Sequence, residues 1–157
     1  MPDSAFSHPP PPPGTPAAAL RTVRTALLFL TIVACLGTTA ELLLLEHYDD
    51  PWQLVPIALL PLGAALIAWH ARRPGRASRA VLRTVMALFL ASGAVGSVLH
   101  YLGNAEFARE RTPALAGLAL FREAITGATP VLAPGTMTLL GALGLLYAVA
   151  ARGEPRA

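Results

Sequence analysis

The sequence predicts an all-α membrane protein, an antiparallel four-helix transmembrane bundle, from three observations. Four apolar runs, Thr25–Leu45, Trp52–His70, Thr84–Leu102 and Pro130–Ala151, each have about the length of a helix crossing a hydrocarbon core of roughly 30 Å. Arginine and acid are sorted onto opposite ends of those runs. A chain of 157 residues, 54% of them hydrophobic, leaves no length for a globular domain on either side.

The charge sorting sets the orientation. Arg21, Arg24, Arg72, Arg73, Arg76, Arg79, Arg83, Arg152 and Arg156 share one side with Asp3 and Glu154, a net +7. The other side pairs Arg109, Arg111 and Arg122 with Glu41, Glu46, Asp49, Asp50, Glu106, Glu110 and Glu123, a net −4. The basic side is expected in the cytoplasm, with both termini, and the acidic turns outside. The overall +3 therefore reflects topology and not a nucleic-acid surface. Arginine without a single lysine, beside abundant Ala, Gly and Pro, suggests a GC-rich bacterial source and its plasma (inner) membrane.

The expected organisation is a disordered Pro-rich cytoplasmic tail over 1–19, a four-helix domain over 20–152 and a short cytoplasmic tail over 153–157. The tail contains five consecutive prolines, Pro9–Pro13, which read as a polyproline II spacer. The first run has a signal-peptide look, with Arg21 and Arg24 ahead of it and small residues at Thr38-Thr39-Ala40. Its apolar character continues through Leu42–Leu45, which favours retention as a span. In the second run Pro56 and Pro61 each remove one backbone hydrogen bond and bend the helix.

The third run is rich in small residues, Gly93 and Gly96 among them, and the fourth carries Gly141 and Gly144; both suit close helix approach. Thr129 and Pro130 read as cap and first residue of the fourth helix. Between the third and fourth runs, Thr112-Pro113 opens and Gly127 closes an interfacial helix, with Leu115, Leu118, Phe121 and Ile125 on one face.

The chemistry is expected on the acidic side. Glu41 lies inside an apolar run, where a carboxylate costs several kcal/mol unless it turns inward to a partner. Thr31, Ala34, Thr38 and Glu41 read as a polar stripe, and Gly93, Gly96 and His100 as another, with Asn104 one turn on. Counted from Thr25 and Thr84, Glu41 and His100 stand at equal depth, so the two are expected to meet. His47, Asn104, Glu106 and Glu110 are the assisting candidates, and Glu106 and Glu110 share a face if their stretch is helical.

Imidazole with carboxylate is a ligand set for a divalent transition metal and equally the equipment of a proton relay. Haem between His47 and His100 fits less well, because the pair lies so near the outer surface. No Glu-x-x-His, His-Glu-x-x-His or cysteine pair is present, since Cys35 is the single cysteine and reads as a small core residue. His70, beside Arg72 and Arg73, reads as an interfacial anchor.

Three functions are therefore carried forward. The first is a membrane protein with an outward-facing His/carboxylate site for a metal ion or a proton-linked small ligand. The second is an accessory or assembly subunit of a larger membrane complex or homo-oligomer, with a structural Glu–His contact. The third is a membrane-embedded enzyme using the pair as acid and base. In all three the lipid bilayer is the principal partner.

Overall fold

The computed structural model describes residue 12 and residues 14–150, and among them every regular element is helical. The order is α1 (Pro16–Leu44), α2 (Leu54–Arg72), α3 (Arg76–Arg111), α4 (Gly117–Ile125) and α5 (Gly135–Ala150). Three of these, α1, α2 and α3, are long and apolar enough to cross a membrane, which is compatible with a membrane location. In the apolar stretch of α1 only 11% of residues are buried within the chain, so most of its side chains face outward.

Local chemistry explains where the helices differ from expectation. The helix α1 begins at Pro16, inside the stretch expected to be a disordered tail. Thr15 caps it, its hydroxyl accepting from the Ala18 N–H at 3.3 Å, and proline at the first helical position forfeits nothing. The remainder of the proline tail, and residues 151–157, lie outside the described residues.

Because α2 starts at Leu54, Pro56 falls in its first turn, where no partner for its N–H was due; only Pro61 interrupts the helix interior. The three-residue connection Arg73-Pro74-Gly75 then turns the chain. Ser78 reaches back to the Gly75 N–H at 3.1 Å and tightens the start of α3.

Spanning 36 residues, α3 is about 54 Å long, well beyond the run Thr84–Leu102 and beyond one bilayer core. It continues to Arg111 because Ala105 and Ala108 pack against Leu120 and Ala124 of α4, a satellite core joined by Tyr101 and Leu115. Pro113, which disfavours helix in the residue before it, stops α3 at Thr112.

The fourth apolar run and the interfacial helix both start later than predicted. Pro134 has no N–H to donate, so residues 130–137 proceed by tight turns: Ala133 to Pro130, Gly135 to Leu132, Thr136 to Ala133 and Met137 to Pro134. Regular helix begins only at Gly135, and the 16 residues of α5 cover about 24 Å. In α4, Gly117 adopts φ +59°, which breaks any helix running from Pro113. The face of α4 that packs is Leu120 and Ala124; Leu118, Phe121 and Ile125 are exposed.

The main core lies between α1, α2, α3 and α5, with Cys35, Leu60, Ile67, Leu82, Phe89, Leu140 and Tyr147 fully or almost fully buried. Its tightest seam joins α3 to α5. A Cβ on Gly141 would stand 2.7 Å from the Met86 carbonyl oxygen, and one on Gly93 2.8 Å from both the Pro134 carbonyl oxygen and the Thr138 nitrogen. These are backbone obstacles that cannot swing aside. Gly93→Ala is expected to destabilise the folded protein by about 1–3 kcal/mol, measured by unfolding in detergent, whereas Gly103→Ala, facing open space, should cost far less.

Candidate functional site

The acid-rich end brings His47 and His100 together. Their rings meet edge to face with centroids 6.4 Å apart, and both residues are half-buried. Each is delivered by a specific backbone device.

His47 follows the end of α1. There the His47 N–H bonds the Leu42 carbonyl at 2.9 Å and the Glu46 N–H bonds the Leu43 carbonyl at 3.2 Å, a Schellman closure. The residue in the left-handed position of that closure is Glu46, at φ +52°, where glycine is usual. A non-glycine residue there costs on the order of 1 kcal/mol, and it turns the chain so that His47 lies over His100.

His100 is delivered by α3 and held by the turn before α5. Its Nδ1 lies 2.9 Å from the Pro130 carbonyl oxygen. A carbonyl can only accept, so Nδ1 carries the proton and donates. The Nε2 of a neutral ring then keeps its lone pair free.

The expected meeting of Glu41 with His100 does not occur. Glu41 is exposed, and among the described residues its carboxylate has no hydrogen bond or ion pair. The reason is helical arithmetic. Eleven residues at about 100° each return almost to the starting face, so Leu42, not Glu41, shares the side of buried Thr31. The inward stripe of α1 is Thr31, Cys35, Thr38 and Leu42, with Thr31 and Cys35 fully buried. Glu41 stands roughly 80° away from Thr31, on the outer side.

Asn104 is buried but is committed elsewhere. Its amide nitrogen donates to the Ala124 carbonyl at 2.9 Å and the Thr129 carbonyl at 2.7 Å, and its amide oxygen accepts from the Thr129 N–H at 3.2 Å. It ties the end of α4 and the loop into α5 onto α3, and Gly127 leaves room for it, since a Cβ there would stand 2.5 Å from its side chain.

Glu106 and Glu110 do share a face of a helix, as their spacing requires. They line a shallow open surface with Leu102, Ala105 and Arg109. Glu106 is six residues beyond His100, about 9 Å further along α3 and two-thirds of a turn round it, and so belongs to a different surface.

Asp49, Asp50 and Gln53 shape the first turn. The Gln53 amide oxygen accepts from the Asp49 and Asp50 N–H groups, and an Asp50 carboxylate oxygen accepts from the Trp52 N–H at 2.7 Å. Among the described residues no group of three or more His, Cys, Asp and Glu side chains is gathered closely enough to hold a metal ion. The site is thus a histidine pair with open sides.

His70 is not an interfacial anchor. It is fully buried, its Nδ1 2.8 Å from the Ser78 hydroxyl and its ring edge-on to Tyr147 with centroids 6.1 Å apart. The recurrence of small and polar residues in α3 carried no signal for this contact, because its partners come from the far ends of three helices.

No family model, curated protein or solved structure matches this chain.

Asn104→Ala would leave two carbonyls and one N–H without their partner. A loss of about 2–4 kcal/mol is expected, with earlier proteolysis or faster hydrogen exchange in residues 117–134 than in α1 and α2.

Proposed function

We propose that this chain is a four-pass membrane protein of a bacterial plasma membrane, with both termini in the cytoplasm. Its function in this reading is to bind a divalent transition-metal ion at the outer rim, through His47 and His100. The orientation rests on the arginine-rich end, which the positive-inside bias places in the cytoplasm.

One observation carries the metal reading: the paired rings, with His100 Nδ1 on the Pro130 carbonyl. A backbone carbonyl behind one imidazole nitrogen fixes the tautomer that presents the other nitrogen to a metal. Two imidazoles on one tetrahedral ion at about 2.1 Å per bond place their ring centres roughly 5–5.5 Å apart, so the rings, at 6.4 Å, close by about 1 Å on binding. Zinc and copper suit two neutral nitrogen ligands, leaving the other positions to water or a small exogenous ligand. Glu41, Asn104, Glu106 and Glu110 supply no ligand to this site.

Titration of the detergent-purified chain with Zn²⁺ and Cu²⁺ tests this. One ion per chain is expected, bound at least about tenfold more weakly by His47→Ala and by His100→Ala. Glu41→Gln and Glu106→Gln should bind as the parent does. Equal affinity in His100→Ala and the parent protein would remove the proposal.

A second reading, an assembly subunit, is supported by the outer face of α1. Val33, Gly37, Glu41 and Leu44 are all exposed on it, and a Cβ on Gly37 would meet nothing within 4 Å. A carboxylate surrounded by leucine gains from a protein neighbour that offers a donor. In this reading Glu41→Leu abolishes a higher-mass particle seen in gentle detergent; a monomeric particle in both forms counts against it.

A further inference from the structure

Two residues one turn apart on α3 grip two successive residues of the loop into α5. His100 gives its Nδ1 proton to the Pro130 carbonyl at 2.9 Å. Asn104, four residues on and so on the same side of the helix, takes both backbone groups of Thr129. Its amide oxygen accepts from the Thr129 N–H at 3.2 Å, and its amide nitrogen donates to the Thr129 carbonyl at 2.7 Å. A second bond from that nitrogen, to the Ala124 carbonyl at 2.9 Å, ties the end of α4 into the same grip.

The Pro130 carbonyl depends on this grip for its place. Proline has no N–H, so the residue that carries the carbonyl cannot anchor itself by a donor of its own. The Ala133 N–H bonds that carbonyl at 3.2 Å, but this is a turn within the loop and moves with it. Among the described residues no backbone hydrogen bond joins residues 127–130 directly to a helix. Pro130 also disfavours helical backbone at Thr129. An extended residue turns its N–H and C=O to the same side, where one side-chain amide satisfies both. Asn104 is only 6% exposed, so water does not stand in for these bonds. Gly127 admits the amide, since a Cβ there would stand 2.5 Å from its carbon.

We propose that Asn104 is the positioning residue of the His47–His100 site. It fixes the Pro130 carbonyl, and that carbonyl fixes the His100 tautomer with the proton on Nδ1 and the lone pair on Nε2. A neutral imidazole binds a metal ion only through the nitrogen without the proton. A ring released from the carbonyl exchanges between its two forms, so only part of the population then offers Nε2. Asn104 gives the ion nothing itself and acts through Thr129 and Pro130. This role rests on the metal reading of the histidine pair, whereas the tautomer belongs to the chain without any ion.

The test therefore reads the ring and the ion separately. The metal-free full chain, labelled with ¹⁵N-histidine, is observed by NMR in detergent at about pH 8.5, where an ordinary histidine is neutral. The His100 signals are those missing from His100→Ala, and the parent is expected in the Nδ1–H form. Asn104→Ala should shift His100 toward the Nε2–H form and leave His70, at the far end of the bundle, unchanged. Gly127→Ala guards against failure of that variant to fold; its Cβ pushes the amide off Thr129, so it should act in the same direction. Gly63→Ala is the control, since its Cβ meets the Phe89 ring between α2 and α3 and strains the core away from the loop. It should leave His100 as in the parent.

Titration of the same proteins with Zn²⁺ should give affinity about tenfold lower in Asn104→Ala and Gly127→Ala than in the parent and in Gly63→Ala. A His100 tautomer unchanged in both loop variants, or shifted equally in Gly63→Ala, would overturn the proposal, as would a shifted tautomer with parental Zn²⁺ affinity. A shifted tautomer in a chain whose parent form binds no Zn²⁺ upholds the hold of Asn104 on His100 and removes the metal reading instead.

Discussion

The close approach of α3 and α5 is the constraint on which the remaining arrangement depends. Gly93 and Gly141 let each helix lie against the backbone of the other, with Gly96 and Gly144 extending the seam toward its two ends. Helices in an apolar surrounding gain little from hiding leucine, and association then rests on van der Waals contact at short range. This seam also fixes two polar contacts. At one end it brings the Pro130 carbonyl over His100, and at the other it brings Tyr147 against His70.

The two ends use histidine in opposite ways. At the acid-rich end, His100 spends Nδ1 on a carbonyl and lies beside His47 in a half-buried position. At the arginine-rich end, His70 spends Nδ1 on a serine and is wholly enclosed. The charges follow the same division, acids beside the open pair and arginines around the closed one.

Between these ends, α3 acts as the spine. It runs about two turns beyond its apolar run Thr84–Leu102 and carries α4 on that extension through Ala105 and Ala108, with Asn104 locking the following loop. By contrast α1 is peripheral, with Leu30, Val33 and Leu44 between 61% and 84% exposed. Glu41 is the one charge on that face, and its position there makes it a mark of the surroundings of the helix and not of the bundle interior.

Composition and periodicity were enough to foresee that the described residues are helical, the close approach through glycine, and the burial of Cys35; of the four apolar runs expected to span, three become helices long and apolar enough to cross a membrane, and the fourth is shorter. These follow from local properties: apolar length, residue size, and the sorting of charge. Much of the error about α1 was also legible, since a period of 3.6 residues returns Leu42 and not Glu41 to the side of Thr31. What lay beyond the sequence were the contacts made between elements. Nothing local says that Pro130 offers its carbonyl to His100, that Asn104 is consumed by a loop some 20–25 residues away, or that His70 is enclosed by Ser78 and Tyr147. Those are decided by how four helices pack, because a hydrogen bond between distant residues exists only once the backbones carrying them have been brought within reach.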